Sequence, residues 1–156
     1  MTLIEHLESH LGEMGGGWRD SNRENPILVA GFFDKPFKDI NTYSTLGLSE
    51  HRLLAPAGKY IHQELVCTAY RSFAGEKIAS FLSTFADSIV SSHKALLRGD
   101  VVGPSGPVIL GSLLNSVYVA VPMIFPESFE VFDAAVPGIL EEKNPELWDL
   151  HRESVV

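Results

Sequence analysis

The sequence predicts one α+β domain over residues 1–156, in which a mixed or antiparallel sheet is covered by a long helix and by N- and C-terminal helices. Three observations predict this fold. A chain of 156 residues has the length of one ordinary domain. Hydrophobic residues make up 45% of it and charged residues 21%, which is typical of a globular chain. The predicted elements run helix, strands, helix, strand, helices, without the regular alternation of a doubly wound sheet.

Residues 2–14 are predicted to form the first helix. Thr2 and Glu5 fit the S/T-x-x-E capping box, in which each side chain bonds the main chain of the other residue. The glycines at 15–17 are expected to end the helix, because glycine adopts the left-handed cap easily. The apolar residues recur at helical spacing and form one stripe: Leu3, Ile4, Leu7, Leu11 and Met14.

Two histidines of this helix, His6 and His10, are four residues apart with Glu8 between them. A zincin helix has a similar pair, but its glutamate directly follows the first histidine. Glu8 is two residues on, about 200° around the helix from His6. We therefore expect a solvated face here and no metal site.

Two strands are predicted after a polar loop at residues 19–25. The first follows Pro26 and covers residues 27–33, where β-branched and aromatic residues favour a strand. The second covers residues 39–46 and stops at Gly47, which permits a tight turn.

The longest strand candidate covers residues 60–70, after a loop-like segment at residues 52–59 that contains a proline and a glycine. Side chains alternate between the two faces of a strand. One face is therefore expected to carry five residues: Ile61, Gln63, Leu65, Cys67 and Ala69.

The longest helix is predicted from Glu76 to Leu97, with Arg98 and Gly99 at its end. Its apolar residues follow helical spacing: Ile78, Phe81, Leu82, Phe85, Ile89 and Leu96.

An irregular edge or loop is expected at residues 101–111, which are rich in glycine and proline. Residues 117–125 are so apolar that a central strand is predicted there, with pairing interrupted at Pro122. Pro126 should then begin a helix. Further on, we expect a break at Pro137 and Gly138, a second helical piece to Lys143 and a short turn from Asn144 to Trp148.

The net charge of −8 disfavours nucleic acid as a partner, because binding to phosphates requires a basic face. An acidic chain is instead attracted to basic proteins. Cys67 is the one cysteine, so no internal disulfide can form, and its apolar neighbours indicate a small buried side chain. The N-terminus does not resemble a signal peptide, and no apolar run approaches the roughly 20 residues of a membrane span. We expect a cytoplasmic protein without a membrane partner.

Catalytic motifs are weak in this sequence. Ser49 and His51 are close along the chain, but catalytic triads assemble in space, so this proximity indicates little. His62 and Glu64 match half of a zinc-deaminase motif whose Cys-rich half is missing. The glycines near Pro104 do not form a phosphate cradle, because prolines lack the N–H groups that it uses. We therefore predict no catalytic residues, no cofactor and no metal.

One segment, residues 41–49, resembles the T-x-G-[LM]-S segment of the suppressor-of-fused domain family, with Thr45-Leu46-Gly47-Leu48-Ser49 as the match. Other segments resemble the family in the same order along nearly the whole chain. They are the helix ending in Leu11-Gly12, the strand candidate containing Glu64-Leu65, the turn Gly99-Asp100-Val101-Val102, the apolar run 119–125 with Pro126-Glu127, and the C-terminal run 147–156.

The resemblance implies protein binding rather than catalysis. Animal relatives hold transcription factors and clamp a peptide partly by strand addition, whereas short bacterial relatives are thought to be immunity proteins against secreted polymorphic toxins. The leading hypothesis is thus an immunity protein whose partner is a basic toxin domain. The alternatives are a peptide-binding adaptor with an open sheet edge beside residues 101–108 and, third, an unrecognised hydrolase that would use Ser49, His51, His62 or Glu64.

Partner-binding residues are predicted at three places. Trp18 and Arg19 follow the three glycines, where a mobile loop is expected, and an aromatic residue beside an arginine is a typical interface anchor. Ser49 and His51 are candidates in the loop after the second strand. His151 and Arg152 are candidates near the C-terminus, where Trp148 is expected to pack in the core.

Overall fold

The computed structural model describes residues 1–133 and 152–155, the latter and Asp133 by their backbone. The helices of these residues are α1 (Leu3–Leu11), α2 (Gly75–Ser92) and α3 (Glu127–Glu130). The strands are β1 (Gly16–Trp18), β2 (Leu28–Phe32), β3 (Ile40–Leu46), β4 (Leu53–Leu54), β5 (Tyr60–Glu64), β6 (Val66–Tyr70), β7 (Val101–Val102), β8 (Val117–Tyr118), β9 (Val131–Asp133) and β10 (Arg152–Val155). Short 3₁₀ turns lie at Leu48–Glu50 and Pro56–Gly58.

The first sheet is antiparallel, in the order β1-β2-β3-β6, and helices lie on both of its faces. One face packs on α2 through buried residues that include Val29, Tyr43, Ile78 and Leu82. The other face packs on α1 and α3 through Leu7, Leu11, Ala30, Phe32 and Phe129. Neighbouring residues such as Val29 and Ala30 thus serve opposite cores, as the two-residue period of a strand requires.

The second sheet is mixed, in the order β4-β5-β10-β9. β10 is parallel to β5, with Glu153 opposite His62, and antiparallel to β9, with Glu153 opposite Phe132. A third, two-stranded sheet pairs β7 with β8. The α+β prediction with mixed and antiparallel sheets is confirmed, and α1 and α2 cover the first sheet as expected.

The long strand predicted at residues 60–70 is instead two strands, and they belong to different sheets. The chain changes sheets at Leu65, whose N–H donates to Thr45 Oγ1 (2.8 Å) rather than to a main-chain oxygen. The main-chain oxygen of Thr45 accepts from Ser44 Oγ (3.0 Å). One main-chain bond remains, from the Thr45 N–H to the Leu65 oxygen (2.9 Å), but hydroxyls occupy the other two positions. Pairing with β3 therefore ends at this point, and the prediction of one continuous strand was wrong.

The first helix is shorter than predicted, and its buried face is rotated. It ends at Leu11, since Gly12 adopts a left-handed φ of 76° and donates to the Glu8 oxygen. The capping box of Thr2 and Glu5 is confirmed. His6 is buried, whereas Ile4 is 41% exposed, so the expectation of a solvated histidine face was wrong. Phe129 and Phe132 contact the His6 ring and cover that side of α1.

Three predictions for the second half of the chain were also wrong. α2 ends at Ser92 rather than Leu97, because His93 takes a left-handed φ of 55°. The central strand predicted at residues 117–125 is only β8, since the chain turns at Pro122, whose oxygen accepts from the Phe125 N–H. The helix after Pro126 is a single turn that continues into β9. The breaks and turns predicted between 137 and 148 lie outside the described residues.

Candidate partner-binding site

A buried carboxylate, that of Glu64, organises the loop after β3. Glu64 lies at the end of β5 and is fully buried. Its Oε1 accepts from the Gly47 N–H (2.9 Å), the Ser49 N–H (3.0 Å) and Ser49 Oγ (2.7 Å). Its Oε2 accepts from Thr45 Oγ1 (2.6 Å). The residues of the T-x-G-L-S segment are therefore the donors that bind this one carboxylate.

The loop can reach Glu64 because of Gly47, whose φ of 108° is unfavourable for residues with a Cβ. This conformation leads into the 3₁₀ turn Leu48–Glu50 and directs the N–H groups of Gly47 and Ser49 inwards. A Cβ at Gly47 would meet no atom within 4 Å. Backbone conformation, and not close packing, thus explains the glycine.

Burial raises the pKa of Glu64, because the apolar surroundings disfavour its charge. The hydrogen bonds from Thr45, Ser49 and Gly47 act in the opposite direction and stabilise the carboxylate. Burial is the larger effect.

The two residues before Glu64 hold further loops in place. His62 Nδ1 bonds the main-chain oxygen of Ser49, which requires that this nitrogen carry the proton. Gln63, which is fully buried, accepts from the Leu96 N–H (2.8 Å) and donates to the Leu96 oxygen (3.0 Å). The strand β5 therefore holds two loops in place through His62, Gln63 and Glu64. They are the loop after β3 and the loop after α2.

The structure brings Ser49, His62 and Glu64 together, but not as a nucleophile and its base. Ser49 Oγ donates to Glu64 and is buried, whereas His62 contacts the Ser49 carbonyl oxygen. His51 is exposed at the end of the 3₁₀ turn. In the described part of the chain, no three His, Cys, Asp or Glu side chains form a cluster that could hold a metal ion.

Trp18 lies in β1 and not in a mobile loop. Its indole packs against Tyr43, with ring centroids 5.6 Å apart, and approaches the backbone of Gly31 and Gly75. Arg19, which is exposed, borders a cavity of about 300 Å³ between this strand and α2. Trp18 therefore stabilises the contact between β1 and α2. The loop expected for both residues was wrong for Trp18, whereas Arg19 follows β1 outside the helices and strands.

The remaining predicted residues lie near or beyond the limits of the described chain. Arg152 is the first residue of β10, and His151 and Trp148 are outside the described residues. Cys67 packs against the core on the α2 face of the first sheet, and burial raises the pKa of its thiol. A raised thiol pKa is typical of an unreactive cysteine.

A cleft of about 490 Å³ opens beside the Glu64-bound loop, between α1 and the 3₁₀ turn. We call it the N-terminal cleft. Its lining includes Leu46, Gly47, Ser49 and Glu50 from the loop, together with Ile4, Leu28 and Phe132. Ile4 and Leu28 are about 40% exposed, so apolar surface faces solvent here. Ser49 was predicted from the sequence as a partner-binding residue, whereas the apolar residues around it were not.

A second groove, of about 480 Å³, runs along α2 and is called the α2 groove. The stacked rings of Phe81 and Phe85 form one wall, and Val102, Val108 and Leu110 lie on the other. The segment that forms this second wall, and its immediate neighbours, expose large apolar side chains: Val101, Val102, Leu110, Leu113, Leu114 and Tyr118. Apolar surface of this extent is typical of an interaction site.

Comparison with known proteins identifies the family. Residues 23–138, well over half of the chain, match the family model described as Suppressor of fused protein (SUFU). Neither curated proteins nor solved structures gave a match. In the residues that the structure describes, no helix is long and apolar enough to cross a membrane. The chain belongs to the suppressor-of-fused family and is a protein-interaction module.

Proposed function

We propose that this chain is a bacterial, cytoplasmic immunity protein, which binds a basic toxin domain and blocks it without turnover. Membership of the suppressor-of-fused family supports the binding role. The observation that carries the proposal is the distribution of charge. Residues 127–156 contain eight carboxylates and two basic side chains, so they hold −6 of the net charge of −8.

Among the described residues, the first carboxylate of this run lies on a helix that contacts α1. Glu127 is exposed on α3, and α3 packs against α1, where Glu5 is also exposed. His10 Nε2 bonds Ser128 Oγ (3.0 Å) and joins the two helices. The exposed carboxylates of Glu5 and Glu127 on these two helices would attract a basic partner, and such charge accelerates the encounter and favours the correct orientation.

The test is protection of a bacterial host from the product of a neighbouring gene. Each adjacent open reading frame is expressed with and without this chain, and growth is measured. The proposal expects that one product stops growth alone, that this chain restores growth, and that the two proteins co-elute as a stable complex. If no neighbouring product is toxic, or if toxicity persists with this chain present, the immunity function is wrong.

A peptide-binding adaptor is the second candidate, favoured by the α2 groove. The groove lies beside β7, a two-residue strand whose only described partner is β8. An extended peptide could place apolar side chains against Phe81 and Phe85 and add a strand at this edge. Phe81→Ala with Phe85→Ala would then abolish partner binding, whereas an immunity complex held by the carboxylates of α1 and α3 would tolerate this change.

A further inference from the structure

We propose that the N-terminal cleft is the docking site for a partner segment that presents a bulky apolar side chain flanked by lysine or arginine. This inference rests on the proposed function and names the surface that would recognise a basic partner. Three observations support it: the apolar lining of the cleft, the charge at its edge and the rigidity of its loop wall.

The apolar lining provides the pocket for an anchor side chain. Phe132 is buried and Leu46 partly buried in this lining, whereas Ile4 and Leu28 are about 40% exposed. A volume of about 490 Å³ lies within the usual range of ligand pockets. Interface hot spots consist of such a side chain seated in a pocket that excludes water.

The charge at the edge selects a basic partner. Glu50 is the one charged side chain among the described residues that line the cleft, and it is exposed. On the α1 wall, the exposed carboxylate of Glu5 bonds the N–H of Thr2, another lining residue, at 2.6 Å. The α-ammonium of Met1 also lines the cleft, but the two carboxylates of Glu5 and Glu50 outnumber it, so a lysine or arginine beside the anchor would be favoured over an acidic residue.

The loop wall is fixed before any partner arrives. Gly47 and Ser49 line the cleft, and both are held by hydrogen bonds to the buried Glu64. A surface that is ordered in advance loses little conformational entropy on binding. The Glu64 contacts therefore have a direct consequence for the cleft, since they set the position of Glu50 at its edge.

The test is an NMR titration of the ¹⁵N-labelled full chain with two hexapeptides. One has a central Leu-Phe pair flanked on each side by two lysines, and the other has glutamates in place of the lysines. The basic peptide is expected to shift the amide signals of Ile4, Leu28, Gly47 and Glu50, and the acidic peptide is not. Glu50→Lys should weaken the basic peptide roughly five-fold or more.

Matched control variants separate the cleft from general charge. Glu24→Lys makes the same charge change at an exposed residue outside the cleft and should leave the affinity unchanged. Ile4→Ala should weaken binding, whereas Leu113→Ala, at a fully exposed side chain outside the cleft, should not. Shifts confined to other surfaces, or equal binding of both peptides, would overturn the inference.

The cleft and the immunity function can fail separately. If Glu50→Lys protects cells from the toxin as well as the wild-type chain does, the cleft is not the docking site although the function stands. If the basic peptide binds in the cleft but no toxin is neutralised, the docking chemistry stands and the immunity function fails.

Discussion

Ser49 Oγ donates a 2.7 Å hydrogen bond to Glu64 Oε1, and both side chains are buried. The contact joins two segments that resemble the suppressor-of-fused family separately, the T-x-G-L-S run and the Glu-Leu pair. The T-x-G-L-S run supplies the hydrogen-bond donors, and the glutamate of the Glu-Leu pair is their acceptor. Four donors on one carboxylate satisfy a group that would otherwise be costly to bury.

Removal of the Glu64 carboxylate should destabilise the chain strongly. Glu64→Ala leaves the N–H groups of Gly47 and Ser49 without their acceptor, and we expect a loss of about 3–5 kcal/mol in the free energy of unfolding. Glu64→Gln keeps one acceptor oxygen and should lose about 1–2 kcal/mol. Urea denaturation measures both values.

The control for this comparison is Glu50→Ala, at an exposed carboxylate, which should change stability by less than about 0.5 kcal/mol. If Glu64→Ala were as stable as Glu50→Ala, the hydrogen bonds of Glu64 would not hold the loop.

The free energy of unfolding should depend on pH in the direction that the raised pKa of Glu64 sets. Because the folded state binds this proton more tightly than the unfolded chain, the contribution of Glu64 is most favourable below the ordinary value of 4.5. It declines as the pH rises from there towards the folded pKa. The stability difference between wild type and Glu64→Gln should therefore shrink over that interval. A difference that grew with pH would mean that the four hydrogen bonds outweigh burial.

A substitution at Gly47 should be unfavourable for conformational reasons alone. Its φ of 108° strains any residue with a Cβ, although a Cβ there would meet open space. Gly47→Ala should lower the free energy of unfolding by about 1–3 kcal/mol. Gly58→Ala, at a φ of 73° in open space, is the comparison and should lose less, because that φ is closer to the left-handed region. Equal losses at the two glycines would contradict the strain at Gly47.

Trp18→Ala should reveal whether this residue serves the core or a partner. The indole packs on Tyr43 and against Gly31 and Gly75, so its loss should cost about 2–3 kcal/mol in thermal or urea unfolding. The neighbouring Arg19→Ala, at an exposed side chain, should cost almost nothing. If Trp18→Ala had the stability of the wild type, the interpretation of Trp18 as an exposed partner-binding anchor would be supported instead.

Local signals in the sequence were enough to predict part of the fold. The capping box of Thr2 and Glu5, the apolar run before Phe33 and the glycine that ends β3 each depend on residues close in sequence. The donor role of Ser49 towards Glu64 could not be predicted in this way, since the two are 15 residues apart. A glutamate among apolar residues of a strand candidate was the one available signal, because buried carboxylates require donors.

The predictions that were wrong share one cause, because each depended on residues that are distant in the sequence. The break at Leu65 depends on a hydroxyl of Thr45, and no local signal distinguishes it from a continuous strand. The burial of His6 depends on Phe129, more than a hundred residues away, so the apolar stripe of α1 alone placed the buried face too close to Ile4. Tertiary contacts decided both cases, as they commonly override local preference.

The contact of His6 with α3 should make stability depend on pH in the opposite sense to Glu64. His6 Nε2 donates to the Phe129 oxygen (3.1 Å), and burial, together with the nearby His10, lowers the pKa of His6. The folded state therefore binds this proton less tightly, so its favourable contribution is complete above the ordinary value of 6.5 and is lost as the pH falls below it.

His6→Gln isolates this effect, because its amide can still donate to the Phe129 oxygen but does not titrate. Between pH 7 and 5, the wild-type chain should lose stability relative to His6→Gln, as measured by urea denaturation at each pH. His93→Gln is the control, at an exposed histidine, and should keep the wild-type pH profile. If the free energies of unfolding of His6→Gln and the wild type differed by a constant amount across this range, protonation of His6 would not weaken the contact between α1 and α3.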